Sequence, residues 1–454
     1  MQMLNWLTDA LWSPWLLGLF LLTGLYLSVR TGFFQLFGLW TWLRATAGSI
    51  LRPAGGRTGK GISQWEALCT ALASTIGTGS IAGVATAIWY GGPGAVFWMW
   101  VSAFLGMMTS FVEKTLAVRY RQKQKTGEWV GGPMYYLSNG VGSPALGWWY
   151  GAVCLCAAFI GGNLVQSNSI AASLHAAFGW EKGIVGVVTM AAVGLVMLGG
   201  IGRIARVSTW LVPVMAVLYV GGGILVLVLC REQLPGVLAQ ILTCAFCPTA
   251  VFGGGIGYTV TSAMRYGIAR GVFTNEAGLG TSAIAHAAAD VDRPVRQGMW
   301  GILEVGVSTL VVCSITALVI LVSGVYTLTP FGGFVTGGVE AGAPLTAAAF
   351  SGVLGQGGGI VVALSLLLFA FSSILGWSYY GQQCLEFCVG QGRGQTMYRS
   401  IFLLCVLLGS VWDSEQVWTL VDLFNALMAL PNLAAILLLS PGVMLELRRW
   451  RFKK

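Results

Sequence analysis

Residues Gln64 to Trp100 read QWEALCTALASTIGTGSIAGVATAIWYGGPGAVFWMW, and this stretch decides the fold. Its first half is apolar enough to enter a bilayer, yet Gly77-Thr78-Gly79-Ser80 lies at its middle. Glycines this dense weaken a helix and permit backbone angles that a helix does not use. A membrane helix interrupted there exposes free N–H groups on one half and free carbonyls on the other. The stretch therefore predicts a discontinuous membrane helix, an arrangement that can bind a small zwitterion and a cation.

The composition of the whole chain agrees with a membrane location. Of the 454 residues, 56% are hydrophobic and only 9% are charged, whereas a soluble domain carries roughly 25% charged residues. The ten cysteines lack the spacing of a metal site, and the two histidines and scarce mid-span carboxylates argue against an enzyme. The chain also lacks the GxxxxGK[ST] loop of ATP-driven pumps. We therefore predict an all-α polytopic membrane protein.

Windows of about 20 apolar residues predict about eleven transmembrane helices. They lie near 11–29, 66–90, 94–118, 148–178, 183–201, 207–230, 247–268, 298–324, 357–380, 398–412 and 417–441. The chain accordingly divides into an extra helix with an interfacial segment, two five-helix repeats and a basic tail, at residues 1–65, 66–230, 231–441 and 442–454.

The distribution of basic residues predicts the orientation. Of the 25 lysines and arginines, only Lys182 and Arg231 fall on the side of the predicted spans opposite to the C-terminus. Cytoplasmic loops carry such an excess, so we expect the C-terminus in the cytoplasm and the N-terminus outside. The net charge of +9 is thus a topology signal and not a sign of nucleic-acid binding.

The seventh span repeats the pattern of the second. Phe252-Gly253-Gly254-Gly255-Ile256-Gly257-Tyr258-Thr259 lies within it, as Gly77–Ser80 lies within the second span. Spans two to six and seven to eleven form two groups of five, and an odd number of spans inverts the second group relative to the first. We therefore expect two inverted repeats, each beginning with a discontinuous helix.

Four blocks of sequence resemble the alanine/glycine:cation symporter family. They are GTGSIAGVATAIWYGGPGAVFWMWVSAFLGM (77–107), GGPMYYL (131–137), RGVFTNEAGLGTSAIAHAAA (270–289) and SSILGWSYYG (372–381). The resemblance implies the leucine-transporter fold, with 5+5 inverted helices and coupling to sodium, occasionally to protons. Ser80, where the family usually has Asn, and Gln382, where it usually has Glu, depart from the pattern and bear on substrate range and ion detail.

Several residues are expected to contact a substrate. The N–H groups of Thr78 and Gly79 would bind its carboxylate, aided by the positive end of the half-helix. Gln166 belongs to a polar cluster at membrane depth and would meet its polar groups. Trp377 shares a helix face with Ser373 and would cap the substrate, which makes the pocket smaller and favours small side chains. The second glycine-rich segment adds Phe252 and Gly253.

The resemblance also implies a sodium site. Its ligands would be the carbonyls of Ala73, Ile76 and Phe369 and the hydroxyls of Ser372 and Ser373, which are hard oxygen donors suited to an alkali cation. The two serines could instead bond their own helix or a neighbouring one. Asn275-Glu276-Ala277-Gly278 has two interpretations, the cap of a helix in an inner gate or a solvated cap.

These features predict a sodium-coupled importer of small neutral amino acids such as alanine and glycine, in the plasma membrane (the inner membrane of a bacterium). Its partners would be the amino acid, the coupling ion Na⁺ and the lipid bilayer, with no nucleic acid. A proton-coupled transporter of the same fold stays an alternative. A channel would need a continuous polar pore or rings of charge, which the sequence lacks. The sequence carries no signal for the oligomeric state and is compatible with a monomer.

Overall fold

A computed structural model of the chain describes residues 2–50, 61–246, 260–328, 334–335, 338–412 and 415–452, which are mostly helical. The helices are α1 (Gln2–Leu11), α2 (Pro14–Arg30), α3 (Phe34–Phe37), α4 (Leu39–Ala45), α5 (Ala47–Ile50), α6 (Gln64–Thr75), α7 (Ala82–Gly91), α8 (Gly94–Arg119), α9 (Pro133–Tyr135), α10 (Pro144–Phe159), α11 (Val165–Phe178), α12 (Lys182–Met197), α13 (Gly200–Leu229), α14 (Leu234–Phe246), α15 (Val260–Asn275), α16 (Ala283–Ala287), α17 (Pro294–Val305), α18 (Ser314–Val322), α19 (Ala343–Leu354), α20 (Gln356–Val389), α21 (Gln395–Val411) and α22 (Glu415–Phe452).

Short π-helical or strand segments join some of these helices. Tyr136–Gly140, Ile160–Leu164 and Gly306–Cys313 are π-helical, and the last two join α10 to α11 and α17 to α18. The described residues also form two antiparallel strand pairs. Strand β1 (Gln122–Lys123) pairs with β2 (Trp129–Val130), where Gln122 faces Val130, and β3 (Thr327–Leu328) pairs with β4 (Phe334–Val335), where Thr327 faces Val335.

Six helical stretches of the described residues are long and apolar enough to cross a bilayer: Gly94–Arg119, Pro144–Phe178, Gly200–Leu229, Pro294–Val322, Gln356–Val389 and Val417–Trp450. Shorter apolar helices accompany them at Pro14–Arg30, Lys182–Met197, Leu234–Phe246, Ala343–Leu354 and Gln395–Val411. Each long stretch corresponds to one predicted span. The largest differences are that 207–230 begins earlier, at Gly200, and that 357–380 and 417–441 extend to Val389 and Trp450. The chain is a helical, multi-pass membrane protein.

The first predicted interruption is present. Helix α6 begins at a capping box, in which Ser63 and Glu66 bond each other's backbone N–H groups, and it ends at Thr75. Ile76 leaves the helix with ψ of 78°, and Thr78–Ser80 form a single 3₁₀ turn before α7 begins at Ala82. The helix therefore breaks at the residues whose glycines predicted it.

An interruption also follows α15, further along the chain than the second predicted break. The predicted break at 252–259 falls outside the described residues, and α15 is continuous from Val260 to Asn275. The chain then leaves the helix until α16, with Glu276, Gly278 and Gly280 at φ of +54°, +94° and +80°. No helix uses positive φ, and two of these three residues are glycines that adopt it without strain.

Helix α15 runs parallel to α8, which changes where its arginines lie. Gly267 lies against Ala95, and Gly106 of α8 lies against Ala277. We call the end of the bundle that carries Arg119, Arg121 and Glu446 the basic end. Arg265 and Arg270 lie at the opposite end, where Arg265 pairs with Asp9 at 2.5 Å. The prediction that these two arginines belong with the basic loops is wrong, because α15 begins at the opposite end.

Candidate functional site

A small cavity lies between the two interruptions. Its volume is ≈ 30 Å³ and it is lined by Ser74, Thr75, Gly77, Gly79, Ala157, Gly161, Gln166, Phe273, Glu276, Leu279, Trp377, Val421 and Asn425. The first interruption contacts the helix that leads into the second, because a Cβ atom on Gly79 would lie 2.6 Å from the ring of Phe273 in α15. We call this space the central cavity.

Three residues predicted to contact a substrate line the central cavity together. Gly79, Gln166 and Trp377 come from three separate helical stretches of the chain. The backbone N–H of Thr78, the fourth, donates to Oε1 of Gln166 at 3.3 Å. Nε2 of Gln166 donates in turn to the carbonyl of Gly161 at 3.2 Å, in the π-helical segment between α10 and α11. The predicted carboxylate-binding group and the predicted polar partner are thus bonded to each other.

Trp377 is buried, and its side chain is packed closely between Gly162 and Tyr380. A Cβ atom on Gly162 would come within 2.4 Å of the tryptophan Cβ, so only glycine admits Trp377 at this closeness. Its indole packs edge-on against Tyr380, with the ring centroids 5.6 Å apart. The indole therefore forms a rigid wall of the central cavity.

The oxygens named as sodium ligands converge beside the first interruption. Oγ of Ser372 donates to the carbonyls of Ala73 at 3.0 Å and Phe369 at 2.8 Å. Oγ of Ser373 donates to the carbonyls of Ala73 at 3.1 Å and Ser74 at 3.2 Å. Ser372 therefore bonds both its own helix and α6, and Ser373 bonds α6, so the serines join α20 to α6. Ile76, whose carbonyl is the fifth predicted ligand, is the first residue after α6.

Phe252 and Gly253 lie outside the described residues, and the second interruption contributes other residues. Phe273, Glu276 and Leu279 line the central cavity. Glu276 is 3% exposed, which excludes the interpretation as a solvated cap. The signal for this interruption was Asn275-Glu276-Ala277-Gly278-Leu279-Gly280, which places two glycines and two polar residues directly after an apolar helix.

Buried hydrogen bonds hold the second interruption in place. The N–H of Gly278 and the Asn432 amide donate to Oε1 of Glu113 at 2.8 Å and 2.7 Å. The Asn432 amide also donates to the carbonyl of Gly278 at 2.8 Å, and the Tyr150 hydroxyl donates to the carbonyl of Leu279 at 2.6 Å. Helices α8, α10 and α22 therefore all bond this non-helical segment.

A charged cluster lies next to these bonds, between the central cavity and the basic end. Nζ of Lys114 lies 3.4 Å from Oε2 of Glu304 and 3.8 Å from Oε2 of Glu113, with all three side chains fully buried. Oε2 of Glu304 also contacts Nε2 of His286 at 3.0 Å, and Gln297 bonds the other ring nitrogen at 2.6 Å. His286 looked solitary in the sequence, but the fold surrounds it with charge. Buried charges of this kind are stable only when they are paired.

A thin barrier separates the central cavity from a larger one. The larger cavity, of ≈ 1020 Å³, opens at the end opposite the basic end and includes Arg270 and Trp418 in its lining. The rings of Phe273 and Trp418 lie 5.7 Å apart, and the Arg270 guanidinium lies 5.9 Å and 5.7 Å from their centroids. Arg270 also pairs with Asp422 at 3.6 Å. We call these four residues the barrier and the larger cavity the vestibule.

The two departures from the family pattern differ in what the structure shows of them. At Ser80 it is the backbone carbonyl, a group that any residue supplies, that accepts a hydrogen bond of 2.8 Å from the Thr316 hydroxyl. The Gln382 amide donates to Glu386 at 3.0 Å and accepts from Nη2 of Arg399 at 3.2 Å. Gln382 does not line the central cavity.

The sequence over its full length matches one family model, that of the sodium:alanine symporter family, which covers residues 1–454. The chain belongs to the sodium:alanine symporter family. Among its relatives is the sodium/alanine symporter AgcS of Methanococcus maripaludis, which is 41% identical over 98% of this chain and 96% of its own. The probable sodium/glutamine symporter GlnT of Bacillus subtilis is 37% identical over 98% of this chain and 90% of its own. The predicted family is confirmed. The functions of the family are amino-acid transport and sodium symport.

Solved structures of other transporters share the fold of this family member. The structural match to a Na⁺-coupled sialic acid symporter covers 94% of this chain and 82% of the symporter's chain, with a TM-score of 0.50 and 14% identity. The match to a manganese transporter of Eremococcus coleocola covers 82% of this chain and 75% of the transporter's chain, with a TM-score of 0.55 and 16% identity. The family and the structural neighbours are transporters and not enzymes, as the sequence predicted.

Proposed function

We propose that this protein imports small neutral amino acids, alanine and glycine foremost, in symport with Na⁺ by alternating access. The observation that carries the proposal is the pair of helix interruptions facing each other across one central cavity, beside a group of converging oxygens. Interrupted helices supply free N–H groups and carbonyls where a lipid-buried chain otherwise has none to spare. A zwitterion and a cation are the ligands that such groups satisfy together.

The residues divide between the two ligands. The substrate carboxylate would bind the N–H groups of Thr78 and Gly79, with Gln166 turning away from Thr78 to bond its polar groups and Trp377 limiting its side chain. Sodium, as the second cargo, would bind the carbonyls of Ala73, Ile76 and Phe369 and the hydroxyls of Ser372 and Ser373. Distances of 2.8–3.1 Å between these hydroxyls and carbonyls support a compact oxygen site.

The proposed topology has eleven membrane spans in two inverted five-helix repeats. The spans are α2, α6–α7, α8, α10–α11, α12, α13, α15–α16, α17–α18, α20, α21 and α22, and α14 lies outside this count. With the basic end in the cytoplasm, the N-terminus and the vestibule face outward. The barrier would then be the outer gate, and the charged cluster with its bonds to Gly278 would lie on the inner gate.

The test is uptake of labelled alanine into proteoliposomes that contain the purified protein. We expect accumulation with an inward sodium gradient and little with a proton gradient or none. Accumulation driven by protons alone would replace sodium with the proton-coupled alternative. Failure of a panel of small amino acids to exchange under any gradient would refute the proposal.

The same assay tests the ion site. Replacing both serines with alanine (Ser372→Ala with Ser373→Ala) removes two of five proposed ligands, so the sodium concentration for half-maximal uptake should rise by about tenfold or more. Ser365→Ala, on the same helix and also buried, is the matched control. Unaltered sodium dependence in the double variant would show that the ion binds elsewhere.

A further inference from the structure

The central cavity has a named partner for the carboxylate of an amino acid but none for its ammonium group. Both groups lose water when a zwitterion enters a buried site, and a desolvated charge is unfavourable unless it meets an opposite charge or several hydrogen bonds. The interrupted α6–α7 helix presents N–H groups that attract the carboxylate, whereas the carbonyls of Ala73 and Ser74 at the end of α6 already accept bonds from Ser372 and Ser373. A negatively charged group on another wall of the cavity would be the stronger partner for the ammonium.

Glu276 has the required chemistry and position. Of the described residues that line the central cavity, it alone has an ionisable side chain. It lies on the second interruption, three residues beyond Phe273, whose ring contacts Gly79 of the first. One carboxylate oxygen, Oε2, accepts a short hydrogen bond from the Thr281 hydroxyl, which orients the group within its own segment. The cavity thus has N–H groups on one interruption and a carboxylate on the other.

The backbone conformation at Glu276 is one that favours glycine, so the glutamate side chain is present there at a cost in strain. Its φ of +54° lies in the left-handed region, where glycine is the unstrained choice. Among the described non-glycine residues, only Phe33 shares a positive φ. The neighbouring positive-φ positions, Gly278 and Gly280, are glycines. Strained residues concentrate at functional sites because the surrounding structure holds them there, as the bonds to Gly278 and Leu279 do here.

We propose that the Glu276 carboxylate binds the α-ammonium of the substrate and makes the central cavity selective for zwitterions over uncharged-amine or amine-free carboxylates. This inference rests on the proposed function and adds the specificity-determining residue to it. The substrate lies with its carboxylate at Thr78 and Gly79, its ammonium at Glu276 and its side chain toward Trp377. Lactate and propionate have the size of alanine and its carboxylate but lack the ammonium, so they leave the Glu276 charge unpaired.

The experiment measures displacement of labelled alanine from the purified, full-length protein in sodium buffer by alanine, lactate and propionate. For the wild type we expect alanine to compete at least about 100-fold better than lactate, as expected when a site's buried polar group loses its partner. Glu276→Gln should weaken alanine binding and narrow that ratio at least about tenfold. Glu276→Asp keeps the charge and should preserve most of the ratio. Glu340→Gln, the same change at an exposed vestibule residue, is the control and should preserve all of it.

The outcomes separate this inference from the proposed function. A wild type that binds alanine and lactate alike overturns the inference without any variant, so a Glu276→Gln protein that fails to fold leaves it testable. An alanine-to-lactate ratio that is the same in Glu276→Gln as in the wild type also overturns it. In both cases sodium-dependent alanine uptake by the wild type would leave the proposed function standing, whereas a wild type that binds no amino acid would remove both.

Discussion

At the scale of single residues, the proposed function gives Trp377 the most direct influence on which amino acids fit. Its indole is 7% exposed and is held between Gly162 and Tyr380, so it cannot swing aside for a larger substrate side chain. Overlap with a rigid wall is unfavourable in a packed site. The small size of the accepted amino acids would then follow from one side chain.

Trp377→Ala should therefore weaken alanine binding and partly restore affinity with leucine or methionine. A buried aromatic-to-alanine change costs about 3–5 kcal/mol in a folded core, and a site that water can refill should lose less. The measurement is competition of labelled alanine uptake by a series from glycine to phenylalanine. Trp210→Ala is the control, because Trp210 is 77% exposed on the outer surface of the bundle. An unchanged rank order in Trp377→Ala would mean that the indole never contacts the substrate.

The sequence predicted some of the central cavity because its residue types are unusual at membrane depth. Gly79, Gln166 and Trp377 stood out as glycine, amide and indole within apolar runs, and the structure brings them together. Glu276 was harder to interpret, because a carboxylate after a helix is usually a solvated cap. Only the packing of α8, α10 and α22 around its segment shows that it is buried, and such long-range packing leaves no local pattern.

At the scale of elements, the contact between α6 and α20 controls the oxygen site. The two helices approach closely at Gly376, where a Cβ atom would lie 2.0 Å from Oγ and 3.0 Å from Cβ of Ser74. The carbonyl of Ser74 accepts a bond from Ser373, one helical turn before Gly376. Gly376→Ala should push α20 away from α6, cost about 1–3 kcal/mol of stability and raise the sodium concentration for half-maximal uptake.

The control for this change lies on the same helix. A Cβ atom on Gly357 has nothing within 4 Å, so Gly357→Ala adds helix propensity of about 1 kcal/mol without a clash. Thermal unfolding in detergent and sodium titration of uptake measure both effects. Equal sodium dependence in Gly376→Ala and Gly357→Ala would contradict the proposed role of this contact.

The elements also show why glycine content alone did not indicate the interruption after α15. The predicted break at 252–259 lies outside the described residues, and glycine density measures only how weakly a segment favours a helix. Gly278 and Gly280 are sparser, yet each has a positive φ that a helix cannot contain. What stabilises the non-helical backbone is its set of partners, namely Glu113, Asn432 and Tyr150, which are distant in sequence.

At the scale of the whole molecule, the ends of the bundle differ in charge and in access. The vestibule opens at one end, and the charged cluster fills the space toward the other. Arg265 and Arg270 lie at the vestibule end and not, as predicted, at the basic end. Each pairs with an aspartate there, so they do not reverse the basic excess of the other end. The orientation proposed from the charge distribution therefore stands as a prediction.

Maleimide labelling of intact cells tests that orientation. In protein with all ten cysteines replaced, Glu232→Cys follows α13 at the vestibule end and Lys125→Cys lies between β1 and β2 at the basic end. Both native side chains are exposed. A membrane-impermeant reagent should label Glu232→Cys directly and Lys125→Cys only after permeabilisation, because basic loops stay in the cytoplasm. The opposite labelling pattern would invert the molecule and exchange the roles of its two gates.

The bond between Gln166 and the Thr78 N–H has a consequence for affinity. The amide oxygen lies at the donor proposed for the substrate carboxylate, so it acts as a tethered competitor whose effective concentration is set by the fold. A substrate must displace it, and its apparent affinity falls by the fraction of time that the donor is taken. Such built-in competition weakens binding in every conformation that keeps this hydrogen bond. It would let the protein discharge its cargo into a compartment that already contains the same amino acid.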